Sequence, residues 1–274
     1  MRLLQKVFDY YVEASIHVAV AIVSLALANA LLLNIPVTFE LVFFIFFGSV
    51  AAYNFVKNGP VVLRFKNTTS KNSSYQGILL IVAAGIAICF GSMLPQKAFT
   101  MLAFLLVVII FYTYPIAHPD KNLRSLGILK VILVAISWTT VTVYLPAAYD
   151  EPVWSWDLHL VALQTFFLVV ALIIPFEIRD MQFDPEDIRT IPRKIGVKKT
   201  KWLGIFLMLL STVLLYLRDD IGNLEIVVRG VLLMVVSAFI WKTPTAYSKY
   251  YAAFWVEAIP IFWLGLILGL SWIF

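Results

Sequence analysis

A single cysteine, Cys89, in 274 residues leaves no internal disulfide to staple the fold and no thiolate cluster to hold a metal. Histidine is nearly as scarce, and His17, His118 and His159 are scattered without the spacing of a ligand set. Charge is the largest deficit: Asp, Glu, Lys and Arg make up 14% of the chain, against about 25% in an ordinary soluble domain. That excludes a water-soluble globule. Low-complexity Gly or Pro runs are missing, and so is any appended soluble domain. Strict apolar and polar alternation is missing too, which argues against a membrane β-barrel. What fills the chain instead is apolar sequence, 62% hydrophobic residues with a mean hydropathy of +0.91.

The apolar residues fall into nine runs, at roughly residues 14–35, 38–57, 77–95, 98–116, 126–147, 158–177, 201–217, 224–241 and 252–273. About 20 apolar residues cross a hydrocarbon core of about 30 Å as a helix. The expected fold class is therefore all-α: a polytopic bundle of about nine transmembrane helices, with 1–274 as one domain. The first run has a basic start (Arg2, Lys6) and a cleavage-like "LALANA", but it continues through Leu33 and reads as the first helix rather than a signal peptide. Short cytoplasmic loops collect Lys and Arg. Placing the N-terminus in the cytoplasm puts all but Lys97, Arg218 and Arg229 of the 21 Lys and Arg on one side. The other side shows the acidic or aromatic stretches "YDEPVWSWD" and "RDDIGNLE". The expected protein is integral and multi-pass, in a bacterial inner membrane, with its C-terminus opposite the cytoplasm.

At the cytoplasmic end of the sixth run comes "FEIRDMQFDPEDIRTIPRKIG", from Phe176 to Gly196. A helix continuing a turn or two past Phe176 would carry Glu177, Asp180 and Asp184 at i, i+3 and i+7, on one face. Like charges so placed repel, and something cationic should relieve them. One answer is a solvated network with Arg179, Arg189, Arg193 and Lys194 that anchors the helix end to anionic headgroups. The other is Mg²⁺, which takes one or two carboxylates and completes its octahedron with water and substrate phosphates, basic residues holding the remaining phosphate oxygens.

The order of these residues resembles the second aspartate-rich motif of the UbiA superfamily of intramembrane prenyltransferases, of which 4-hydroxybenzoate polyprenyltransferase is a type. That motif reads Asn-x-Ile-Arg-Asp, three residues, Asp, then Gly, Lys-x-Thr-Leu-Pro and Gly. Ile178, Arg179, Asp180, Asp184, Thr190, Pro192 and Gly196 match it; the motif glycine is absent, and Glu177 stands where an amide or acid is usual. Between the fourth and fifth runs, "FYTYPIAHPDKNLRSLG" is similar to the family's Tyr-x-x-Pro connector. The family's first motif, Asn or Asp followed by two aspartates at four-residue steps, meets "YNFVKNGPVVLR" here: Asn54 matches, Asn58 replaces one aspartate and Val62 the other. No carboxylate remains there, which weakens a second metal. Lys57, Arg64 and Lys66 lie close by, and a lysine can act as a point charge on phosphate; the alternative for Lys57 is snorkelling at a helix end.

The resemblance implies an isoprenyl diphosphate with its chain in an apolar cavity and its diphosphate at the cytoplasmic mouth. Asp180 and Asp184 would be catalytic and, with Glu177, would hold Mg²⁺. Asn54, Asn58, Lys57, Lys121, Arg124, Arg179 and Arg189 would bind substrate. Expected partners are the isoprenyl diphosphate, a lipid or aromatic acceptor and membrane lipids, with no nucleic acid. Thr139, Thr140 and Thr142 are expected to bond to their own helix backbone, and Trp138, Gln164 and Glu257 are polar groups within spans. A second class stays open: a non-catalytic homologue that binds an isoprenoid or other lipid, or serves as a partner subunit. A transporter would show matched helices broken by Gly or Pro in inverted repeats, and none is visible.

Overall fold

The computed structural model describes residues 2–63, 71–113, 127–149, 155–183 and 190–272, with 2–3, 58–63 and 71–74 described by backbone alone. Among the described residues the chain is all-helical. The helices are α1 (Arg2–Glu13), α2 (Ile16–Leu32), α3 (Phe39–Leu63), α4 (Lys71–Gly91), α5 (Gln96–Thr113), α6 (Ile128–Thr139), α7 (Leu145–Ala147), α8 (Trp156–Asp180), α9 (Ile191–Ile195), α10 (Val197–Val213), α11 (Asn223–Lys242) and α12 (Ile259–Leu270). A π-helical turn, Thr140–Tyr144, joins α6 to α7, and a second, Tyr251–Val256, leads into α12.

Over its described residues each expected apolar run is mainly helical. Among the described residues seven helical segments are long and apolar enough to cross a membrane, and eight if α1 and α2 are one bent span. The third run, as Tyr75–Gly91, is shorter than a full span among the described side chains. The first run begins two residues later than expected, because Ser15 takes a left-handed φ of 63° and turns the chain by 58° between α1 and α2.

α8 is the central helix, with 72% of its apolar window buried against 22–39% for the other six spans. Its start is fixed by Ser155, whose hydroxyl accepts from the Leu158 N–H at 3.2 Å, with Asp157 in the first turn on the positive end of the helix dipole. In lipid, helices associate through close packing rather than exclusion of water, and small residues let backbones approach. α2 accordingly buries Ala19, Ala21, Ala26, Ala28 and Ala30. Leu168 and Ile174 of α8 meet Met208 of α10, Leu232 and Val236 of α11 and Trp263 of α12 in one cluster.

Backbone polar groups freed by proline find partners. Pro146 has no N–H for the Thr142 carbonyl four residues earlier, and the Asn29 amide from α2 donates to that carbonyl at 3.4 Å. Thr165 of α8 donates to Asn29 Oδ1 at 3.3 Å. The three threonines behave as expected, each hydroxyl donating to the carbonyl four residues back: Thr139 to Ala135, Thr140 to Ile136 and Thr142 to Trp138. Two of the three lone cations also find a place. At the α8 N-terminal end Arg218 pairs with Glu225 and, at 3.4 Å, with Asp157. Arg229 lies 3.6 Å from Glu225 and stacks 4.9 Å over Trp263.

Candidate functional site

At the other end of α8 the helices part around a cavity of about 480 Å³. Its body is apolar, walled by Val131 and Val134 of α6, Val169, Leu172 and Ile173 of α8, Val256 of the second π turn and Pro260 of α12. Tyr53, Tyr112, Trp138 and Phe176 present aromatic surface to it, and the Trp138 indole N–H donates to the Tyr53 hydroxyl at 2.8 Å across the space between α6 and α3. Charge gathers at one end: Lys57, Lys130, Glu177, Asp180 and Glu257 all line it. An apolar body with a few convergent polar groups is the usual form of a small-molecule site.

Each charged side chain is positioned by a local feature. Glu177 and Asp180 occupy the last turn of α8 at i and i+3, so they share a face. Glu177 is buried and pairs with Lys130 at 2.9 Å. Asp180 Oδ1 accepts from Arg179 Nε and Nη2, both at 2.7 Å, while Arg179 lies 5.0 Å over the Phe176 ring. Lys57 closes the α3 side. Its ammonium donates to Ser15 Oγ at 2.8 Å and to the Glu13 carbonyl at 3.3 Å, so the bend between α1 and α2 holds it. Glu257 follows the π turn, where its N–H reaches back five residues to the Ala252 carbonyl. That turn is packed from the N-terminal side: His17 Nε2 lies 2.9 Å from the Phe254 carbonyl, and His17 Nδ1 lies 3.0 Å from the Tyr11 hydroxyl.

Of the residues singled out in the sequence, Lys57, Trp138, Glu177, Asp180 and Glu257 come together at the cavity, with Arg179 paired to Asp180. Asn54 does not. It is fully buried, and its amide donates to the Ala14 carbonyl at 2.9 Å and the Val50 carbonyl at 2.8 Å, tying α3 to the helix bend. The side chains of Asn58, Lys121, Arg124, Asp184 and Arg189 lie outside the described residues. Lys130, Tyr53 and Tyr112 were not singled out. Lys130 reads in sequence as one more cation on the basic side, and only its isolation in "LGILKVILVAISW" hints otherwise.

A divalent cation fits one side of this site and not the other. On the α8 side Asp180 offers a carboxylate to the cavity, which suits an ion that takes one or two carboxylates and finishes its shell with phosphate oxygens. On the α3 side the Asn54 Nδ2 is committed to backbone and its buried Oδ1 does not line the cavity, no carboxylate exists in the segment, and a lysine ammonium lines the wall. Among the described residues no three His, Cys, Asp or Glu side chains converge as a metal site.

The geometry defines a class first: a helical membrane bundle with an apolar cavity that gathers charged side chains at one end. Comparison with solved structures then gives the fold. The chain resembles an apo UbiA homologue from Aeropyrum pernix K1 (TM-score 0.60, 18% identity, 92% of this chain and 98% of that one). It resembles a UbiA homologue from Archaeoglobus fulgidus bound to GPP and Mg²⁺ (TM-score 0.61, 11% identity, 95% and 98%). It also resembles digeranylgeranylglyceryl phosphate synthase (TM-score 0.56, 15% identity, 97% and 96%). No family model and no curated protein matches the sequence. The fold is that of the UbiA homologues over nearly the whole chain, in accord with the resemblance carried by the second motif.

Proposed function

We propose that the chain binds an isoprenyl diphosphate, hydrocarbon in the cavity and diphosphate at the charged mouth, and transfers the isoprenyl group to a lipid or aromatic acceptor. The observation that carries this reading is the cavity itself, largely apolar and lined at one end by Asp180, Glu177, Glu257, Lys57 and Lys130, within a fold shared with a homologue bound to GPP and Mg²⁺. In the sequence most of the Lys and Arg lie on the same side as the α8 end that carries Glu177 and Asp180, so in this reading the mouth faces the cytoplasm.

A Mg²⁺ held by Asp180 would supply Lewis-acid neutralisation of the leaving diphosphate. The chain's own groups do the rest. Arg179, pinned beside Asp180, keeps that carboxylate oriented. Trp138, Tyr53, Tyr112 and Phe176 exclude water from the reacting carbon, and their ring faces favour the positive charge that develops there. The lack of a carboxylate on the α3 side favours, as the second reading, a homologue that binds an isoprenoid without turning it over.

Calorimetry with geranylgeranyl diphosphate and Mg²⁺, followed by an assay of diphosphate release in membranes, separates the two. A transferase binds the ligand and releases diphosphate, and Asp180→Ala weakens both at least tenfold. Binding without release supports the second reading. Absence of binding removes the site.

A further inference from the structure

The α3 wall of the cavity holds an ammonium where the α8 wall holds a carboxylate. Lys57 Nζ reaches the wall already fixed, donating to Ser15 Oγ at 2.8 Å and to the Glu13 carbonyl at 3.3 Å. Both anchors sit at the bend between α1 and α2. One turn earlier, Asn54 is tied to that same bend through the Ala14 carbonyl. Asn54 and Lys57 thus share one face of α3 and are anchored to the same bend, and of the two only Lys57 lines the cavity. Across the cavity Glu177 carries the Lys130 ammonium at 2.9 Å, so Lys130 already supplies the counter-charge that a metal would give that carboxylate.

Resting on the diphosphate reading of this cavity, we propose that the site is built for at most one divalent cation, on Asp180, and that Lys57 is the fixed cation holding the diphosphate on the α3 side. A lysine suits that position because it offers a compact charge with several donors to phosphate oxygens. Unlike an ion, it arrives with the protein. Lys130 acts through Glu177, which it holds out of the metal's coordination shell, and is a positioning residue.

The test uses the full-length protein in detergent with geranyl S-thiolodiphosphate, an unreactive allylic diphosphate, and Mn²⁺ as a countable ion. Bound manganese is measured after equilibrium dialysis, and affinity by calorimetry. Expected are about one Mn²⁺ per chain in the presence of the analogue, analogue affinity at least tenfold weaker in Lys57→Met at saturating Mn²⁺, and affinity within about threefold of the parent in Lys57→Arg. Recovery in Lys57→Arg separates a lost phosphate contact from a lost fold. Two Mn²⁺ per chain, or a Lys57→Met protein that binds the analogue as the parent does, overturns the proposal while leaving the diphosphate site intact. If the parent protein binds no analogue under any metal condition, the proposal falls together with the function it rests on.

Discussion

The Lys130 and Glu177 side chains are 13% and 3% exposed, so each is largely removed from water and depends on the other. Removing one partner of a buried pair leaves an uncompensated charge and costs roughly 3–5 kcal/mol, whereas replacing both by apolar groups of similar volume is often neutral. Lys130→Met alone should therefore lower the thermal midpoint in detergent sharply, and Lys130→Met with Glu177→Met should return it close to the parent value. Equal losses in the single and double variants would show that the pair contributes nothing as a pair. This residue also marks how far the sequence could be read. Asp180 is legible because its neighbours form a motif, and Glu177 because it shares a helical face with Asp180. The pairing of Glu177 with Lys130 is tertiary: its isolation in an apolar stretch marks Lys130 as unusual but names no partner, and only the packing of α6 beside α8 brings it to the carboxylate. Arg218 and Arg229 stood out as exceptions to the charge bias, and the network with Asp157 and Glu225 accounts for them.

Among elements, α8 carries the site and α10 sets where α8 lies. Gly204 of α10 faces α8 and α11 so closely that a Cβ there would stand 2.7 Å from Ile174 Cδ1 and 2.9 Å from Ile240 Cδ1. Ile174 is three residues before Glu177, on the same face of α8. Added volume at Gly204 therefore presses on the turn that aims the carboxylates. Both facing atoms are the tips of flexible side chains, so Gly204→Ala should be accommodated with a small loss of stability. Gly204→Leu should cost about 1–3 kcal/mol, as overpacking does, and weaken diphosphate binding at least threefold; a melting curve and calorimetry on both variants check this. The apolar runs announced the helices themselves, since a continuous run of about 20 residues has few other solutions in a bilayer. They did not announce the π turns at Thr140–Tyr144 and Tyr251–Val256 or the break at Ser15. A π turn adds one residue between otherwise helical neighbours, a change that hydropathy does not register, and Ser15 turns the chain with a single left-handed dihedral.

Across the whole molecule, the first and last parts of the chain meet at the cavity mouth. α1 is pinned to the segment before α12 by Asp9, whose carboxylate accepts from Lys249 at 2.7 Å and from the Tyr250 hydroxyl, and by Phe8, which lies edge-on to Tyr250 and Phe254. The far end of α1 supplies the Glu13 carbonyl to Lys57, and the bend beyond it supplies Ser15. One short helix thus ties the position of Lys57 to that of the π turn preceding Glu257. The hydrogen bond that Lys249 donates to Asp9 raises the Lys249 pKa above its ordinary value, which is about 10.4. A cation whose folded pKa is raised contributes fully below its unfolded pKa and loses that contribution only as pH rises through the folded value. The Lys249 side of the clasp is therefore intact at neutral pH and loosens only in strongly alkaline solution. Asp9→Ala should release α1 without emptying the core, leave the melting temperature within a few degrees of the parent, and weaken binding of the allylic diphosphate analogue about threefold to tenfold at pH 7.5. The same substitution in a Lys57→Met background should weaken binding no further, because α1 acts on the ligand through Lys57. Additive losses in the double variant would mean that α1 reaches the diphosphate by another route, and unchanged binding in Asp9→Ala would mean that Lys57 keeps its position without the clasp.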